Sequence, residues 1–279
     1  MDGHGLDGSA SGCLHGYNPR RFPREDSILN RHVIANWKMN IPQDGIENFV
    51  RDLRGVRWDD RCRLSIAAPF PFLAEVRDRV RESRLPVRVA AQNVSDHESG
   101  AFTGEVSASM LLSSGAELVI AGHSERRTLY GETDELVGRK LRAAQQGGLI
   151  PVLCIGEDLE TREADRVSDL LDRQLRGALE GYPFSAGSPI IAYEPVWAIG
   201  TGQNATSAVI AETAAGIRRA IVSLRPDLDD PPLLYGGSVT EHNARELIRE
   251  ADVDGFLVGG ASLEADKLAV IYEAAAERR

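Results

Sequence analysis

Glu194 closes the apolar run Ile190-Ile191-Ala192-Tyr193 and precedes Pro195. A carboxylate at the end of a buried strand is costly unless it is paired or opens on a cleft. It reads as a salt-bridged rim residue or as a general base whose partial desolvation raises its pKa toward the working range. His123 follows a second run, Leu118–Gly122, and precedes Ser124-Glu125-Arg126-Arg127. If a short helix starts there, its positive end lowers the imidazole pKa. A neutral imidazole could then hydrogen-bond a carbonyl as charge develops on it; the plainer reading is a core or rim histidine. Lys38 stands two residues after Asn36, and both point the same way if their strand continues. A cation there would draw an anionic substrate to a net-acidic protein; otherwise it is merely a solvated lysine.

Three glycine-rich turns suit a phosphate: Ala198-Ile199-Gly200-Thr201-Gly202, Tyr235-Gly236-Gly237-Ser238 and Val258-Gly259-Gly260-Ala261. Without side chains, their backbone N–H groups can approach an anion closely. A helix-compatible stretch follows the last turn, and a helix N-terminus is a ready phosphate site.

The elements that must position these residues alternate. Short Val/Ile/Leu/Ala-rich runs recur at Val33–Trp37, Leu64–Ala68, Val87–Gln92, Leu118–Gly122, Ile150–Gly156, Ile190–Tyr193, Leu233–Gly236 and Phe256–Gly259. Such runs fit strands buried on both faces of a parallel sheet. Amphipathic stretches lie between them at Gly45–Gly55, Glu132–Gly147, Glu163–Leu179, Ser207–Leu224, Thr240–Ala251 and Leu263–Ala276, with Thr240 a candidate N-cap. Eight alternating units predict a single (β/α)8 barrel over residues 31–279. The competitor, a doubly wound open sheet, more often carries a glycine-rich turn after its first strand; Asn36-Trp37-Lys38 stands there instead. In a barrel the polar residues just after each run share the carboxyl-terminal face: Asn36, Lys38, Gln92, Asn93, His123, Glu157, Glu194, Ser238, Gly259 and Gly260.

Composition narrows the class. Lys+Arg total 32 against Asp+Glu 42, a net charge of -10, which argues against nucleic-acid binding. The hydrophobic share of 42% supports a large core. Cys13, Cys62 and Cys154 are odd in number and lack metal-ligand spacing, so reduced thiols and no metal site are expected. No run is long enough to span a membrane. Residues 1–30 have no apolar core of a secretory signal and no periodicity, and are expected to be a disordered, flexible N-terminal extension.

Four segments, Asn36-Trp37-Lys38-Met39-Asn40, Gly122-His123-Ser124-Glu125-Arg126-Arg127, Tyr193–Gly202 and Tyr235-Gly236-Gly237-Ser238, closely resemble the triosephosphate isomerase family. The resemblance runs in order and with family spacing over about residues 32–276. It implies isomerisation of a phosphorylated triose, dihydroxyacetone phosphate to D-glyceraldehyde 3-phosphate, through an enediolate in glycolysis and gluconeogenesis, with no cofactor. It implies Glu194 as base, His123 as electrophile, and Lys38 and Asn36 as substrate-binding residues. Glu125 resembles the ion-pair partner of Lys38, and backbone N–H groups near Gly200, Ser238, Gly259 and Gly260 would hold the phosphate. Pro195–Trp197 resembles a lid hinge, Glu157 the residue that meets the hinge tryptophan, and Tyr235 and Ser238 the partners of the closed lid. Gln203-Asn204-Ala205 departs from the second hinge, where Lys-Thr-Ala is common, and Ala35 replaces a common glycine. Gly100-Ala101-Phe102-Thr103-Gly104 resembles an interlocking dimer loop, implying a cytoplasmic homodimer with no nucleic-acid or membrane partner. The alternatives are a tetrose-phosphate (tetrulose phosphate) isomerase, an interaction protein on the same barrel, and a metal-dependent sugar-phosphate epimerase. The last needs His and Asp ligands at several strand ends, and only His123 stands at one.

Overall fold

A computed structural model describes residues 31–184, 187–199, 205–225 and 230–277. Eight strands, β1 (Arg31–Asn36), β2 (Cys62–Ala68), β3 (Val87–Ala91), β4 (Leu118–Ala121), β5 (Ile150–Ile155), β6 (Ile190–Tyr193), β7 (Leu233–Tyr235) and β8 (Gly255–Val258), pair in chain order and close into a parallel barrel. Closure is made by β1 against β8, with Val33 opposite Phe256 and Ala35 opposite Val258. The unbroken apolar runs are explained by burial on two sides. Ile34, Ala67, Ala90, Ile120, Val152, Ala192, Leu234 and Leu257 fill the barrel as one cluster. The alternating set, including Val33, Leu64, Ile66, Val119, Leu153 and Ile191, packs outward on the helices.

The helices are α1 (Gly45–Asp52), α2 (Leu73–Ser83), α3 (Ala108–Ser113), α4 (Ser124–Tyr130), α5 (Asp134–Gln146), α6 (Leu159–Glu163), α7 (Val167–Leu179), α8 (Ser207–Leu224), α9 (Ala244–Glu250) and α10 (Ala265–Ala276). Two expectations change. The helix expected over Glu163–Leu179 starts only at Val167, as α7; Glu163 ends the separate short helix α6, with Asp165 at φ 54 in the break between them. Thr240 is not the N-cap of α9; Asn243 holds that position, and its Oδ1 accepts the Thr240 N–H at 2.8 Å.

The first and last elements are tied together by charge. Arg31 donates to the carbonyls of Ala275 at 2.6 Å and Glu277 at 2.5 Å, and Arg61 to that of Ala276 at 3.1 Å. Cations thus meet the carbonyls that a helix C-terminus leaves unsatisfied. The expected extension over residues 1–30, Cys13 included, lies outside the described residues. Cys62 and Cys154 are free and buried.

Candidate active site

β1 stops at Asn36, so Lys38 is reached through a turn rather than by continued strand. Lys38 has φ 52, a conformation a non-glycine residue holds only when its surroundings compel it. Those surroundings are side chains: Asn36 Oδ1 accepts the Lys38 N–H at 3.1 Å, and Gln92 Nε2 donates to the Lys38 carbonyl at 2.8 Å and the Ala67 carbonyl at 2.7 Å. The turn still brings Asn36 and Lys38 to one cavity, and Lys38 Nζ meets Glu125 Oε1 at 2.5 Å.

His123 and Glu194 arrive from β4 and β6. His123 caps α4, with Nδ1 accepting the Glu125 N–H at 3.3 Å. Its Nε2 lies 3.0 Å from Glu194 Oε1, while Glu194 Oε2 accepts the Ser124 N–H at 3.0 Å. Both residues are buried. The expected pKa directions are therefore reversed. Burial alone would lower His123, but the adjacent Glu194 carboxylate outweighs it and raises the imidazole above its ordinary value. Burial alone would raise Glu194, but His123 and the Ser124 N–H outweigh it and hold the carboxyl below the usual range. Burial pushes the neighbouring Cys154 thiol up, and the Glu194 charge adds to that, so it stays protonated.

A cavity of ≈ 270 Å³ joins Asn36, Lys38, His123 and Glu194 to Ile199, Gly236, Gly237, Ser238, Gly259 and Gly260. The paired glycines have a packing role that composition did not disclose. A Cβ on Gly236 would lie 2.8 Å from Glu194 Cγ, and one on Gly237 would lie 2.3 Å from the Tyr235 hydroxyl. The expected helix after Gly259-Gly260 is a four-residue 3₁₀ turn, Gly260–Leu263, and α10 begins only at Ala265. Gly200 and residues 201–204 lie outside the described residues.

Of the expected hinge Pro195–Trp197, the last two residues belong to a 3₁₀ turn, Val196–Ala198. Glu157, fully buried, accepts at Oε1 from Trp197 Nε1 at 2.8 Å, the Tyr193 hydroxyl at 3.1 Å and Arg162 Nε at 2.8 Å. Arg162 also lies over the Trp197 ring, 5.1 Å from its centroid. Sequence reasoning missed Arg162. The available signal was Glu157 itself, since a carboxylate at a strand end requires a cation. Ser238 Oγ donates to the Ala198 carbonyl at 2.6 Å, so it holds the end of that turn.

Phe102 is 41% exposed and stacks on His97 with ring centroids 3.8 Å apart. Met39, next to Lys38, is 93% exposed. Among the described residues no group of three or more His, Cys, Asp and Glu side chains is placed to hold a metal ion, and no helix is long and apolar enough to cross a membrane.

The family model described as triosephosphate isomerase matches residues 31–275. A triosephosphate isomerase of Halorhodospira halophila is 45% identical over 257 residues, covering 89% of this chain and 100% of the relative. One of Dechloromonas aromatica is 44% identical, covering 87% and 98%. The crystal structure of triosephosphate isomerase from Bartonella henselae superposes with a TM-score of 0.78 at 38% identity, covering 88% of this chain and 98% of that one.

Proposed function

The chain belongs to the triosephosphate isomerase family, and we propose that Glu194, His123 and Lys38 perform the isomerisation in it. The reaction is the interconversion of dihydroxyacetone phosphate and D-glyceraldehyde 3-phosphate. One observation carries the assignment of roles: a carboxylate, an imidazole, a held ammonium and two glycine turns open from different strand ends onto one cavity.

Glu194 takes a proton from C1 of dihydroxyacetone phosphate. The C–H electron pair becomes the C1–C2 double bond, and the carbonyl pair moves to O2. The developing oxyanion is met by Lys38 and by His123 Nε2–H, which is released as Glu194 moves to the carbon. A proton passes from O1 to O2, and Glu194 returns its proton to C2, which leaves the aldehyde at C1. Backbone N–H groups near Ser238, Gly259 and Gly260 hold the phosphate, with Gly200 completing the set from the lid. Asn36 and Glu125 position Lys38. Closure about the Pro195–Trp197 hinge excludes water and suppresses phosphate loss from the enediolate.

The same reading makes the catalytic unit residues 31–279, with residues 1–30 outside it, and the working form a cytoplasmic homodimer. The exposed apolar side chains of Phe102 and Met39 support a partner at the loops that carry them. A coupled assay on dihydroxyacetone phosphate, run with a chelator and in parallel on a tetrulose phosphate, tests the reading. Turnover of the triose in chelator supports it. Exclusive turnover of the four-carbon substrate, or none without metal, contradicts it.

A further inference from the structure

We propose that Trp37 and Ser262 are positioning residues that aim the Gly259–Gly260 turn at the substrate phosphate and lock it to the strand end carrying Asn36 and Lys38. The inference rests on the reading of that turn as the phosphate cradle.

Trp37 stands between Asn36 and Lys38 in sequence, yet does not line their cavity. It is 1% exposed and packs edge-on against Phe49 of α1, ring centroids 5.2 Å apart. Its Nε1 donates to the Ser262 carbonyl at 3.1 Å. Ser262 is wholly buried and grips the Gly259 carbonyl twice, with Oγ at 2.6 Å and its own N–H at 2.9 Å.

The Gly259 carbonyl and the Gly260 N–H belong to one planar trans peptide, so they point in opposite directions. Holding that carbonyl toward Ser262 therefore turns the Gly260 N–H away from Ser262, and Gly260 lines the cavity. The glycines themselves cannot set this direction, because glycine is conformationally permissive. Nor does any side chain of the turn reach the cavity from Gly259 or Gly260. The orientation must come from outside, and Ser262 supplies it. Trp37 then fixes Ser262 to the end of β1. A Cβ on Gly259 would lie 3.5 Å from Lys38 Cε, so the turn also abuts the lysine it must work beside. Phosphate and reacting carbonyl are thereby gripped by one connected unit, which is how remote binding energy becomes alignment at the reacting centre.

The test compares Ser262→Ala and Trp37→Phe with the unmodified enzyme on D-glyceraldehyde 3-phosphate, on phosphate-free D-glyceraldehyde, and with inorganic phosphate as competitor. Losing one hydrogen bond should raise KM for the phosphorylated substrate and Ki for inorganic phosphate together, by roughly fivefold. The rate on D-glyceraldehyde should stay within about twofold, a split that general loosening of the fold would not produce. Ser262→Ala removes a single oxygen and serves where Trp37→Phe fails to fold. Equal losses on both substrates, or an unchanged Ki in a folded variant, overturn the proposal. If inorganic phosphate does not compete in the unmodified enzyme, the cradle reading fails instead.

Discussion

Glu194 and His123 occupy each other: the carboxylate Oε1 lies 3.0 Å from the imidazole Nε2. The nitrogen proposed to donate to a substrate carbonyl is thus already donating to the carboxylate proposed as base. In the proposed reaction the substrate oxygen takes the place of the carboxylate, while Glu194 moves to the carbon. At rest the contact raises His123, against burial, which lowers it. Once Glu194 leaves, burial, the Glu125 N–H at Nδ1 and the Lys38 charge favour the neutral ring, opposed by the Glu125 carboxylate.

Glu194→Gln should therefore lower the His123 pKa relative to the unmodified protein, because it removes the charge that opposes burial. A ¹⁵N titration of the imidazole reads this directly. An unchanged or higher His123 pKa in the variant would show that the pair is not coupled as the geometry requires.

Trp197→Phe keeps a ring under Arg162 but deletes the hydrogen bond to the buried Glu157. A bond to a charged group is worth about 1.5–3 kcal/mol, so the hinge should lose its preferred resting geometry. Turnover should fall, and a larger fraction of the enediolate should escape as methylglyoxal. Product partitioning equal to that of the unmodified enzyme would mean that this contact does not govern the lid.

Replacing residues 100–104 by a short polar turn removes Phe102 and its stack on His97. On the proposed homodimer, a monomer of lower stability and low activity is expected, because Asn36 and Lys38 would lose the neighbouring subunit's support. Light scattering combined with an assay checks it. Full activity from a demonstrated monomer would contradict the interface.

His32 sits inside the amino-terminal end of the barrel, and burial first, then Arg88 and Arg63, lowers its pKa from 6.5 to about 3. The folded state resists a proton that the unfolded chain accepts. The contribution to stability is thus complete above pH 6.5 and is lost as pH falls toward 3. At pH 5 the loss is roughly 2 kcal/mol. His32→Gln should flatten the fall in melting temperature between neutral pH and pH 5, and an unaltered slope would refute this origin of acid sensitivity.

All eight strands were legible because each is buried on both faces and so reads as a continuous apolar run. α2 was not, because Leu73, Val76 and Val80 form a thin stripe in an otherwise charged segment. The polar residues ending the strands were legible as a set, since a barrel gathers them on one face. Their electrostatics were not. β4 and β6 are separated by β5, and no local pattern discloses that His123 and Glu194 meet across its end. The same holds for Gly236, where Glu194 Cγ fills the space a side chain would need, and for Arg162, which reaches Glu157 from α6.

In the proposed reaction Glu194 moves the proton between C1 and C2. The most direct measurement is deuterium incorporation at C1 of dihydroxyacetone phosphate in D₂O, followed by ¹H NMR, for the unmodified enzyme and for Glu194→Asp. Shortening the side chain withdraws the carboxylate by near 1 Å, and exchange and isomerisation should fall together by about 100-fold while the fold is retained. Exchange at the unmodified rate in the folded variant would show that another group is the base.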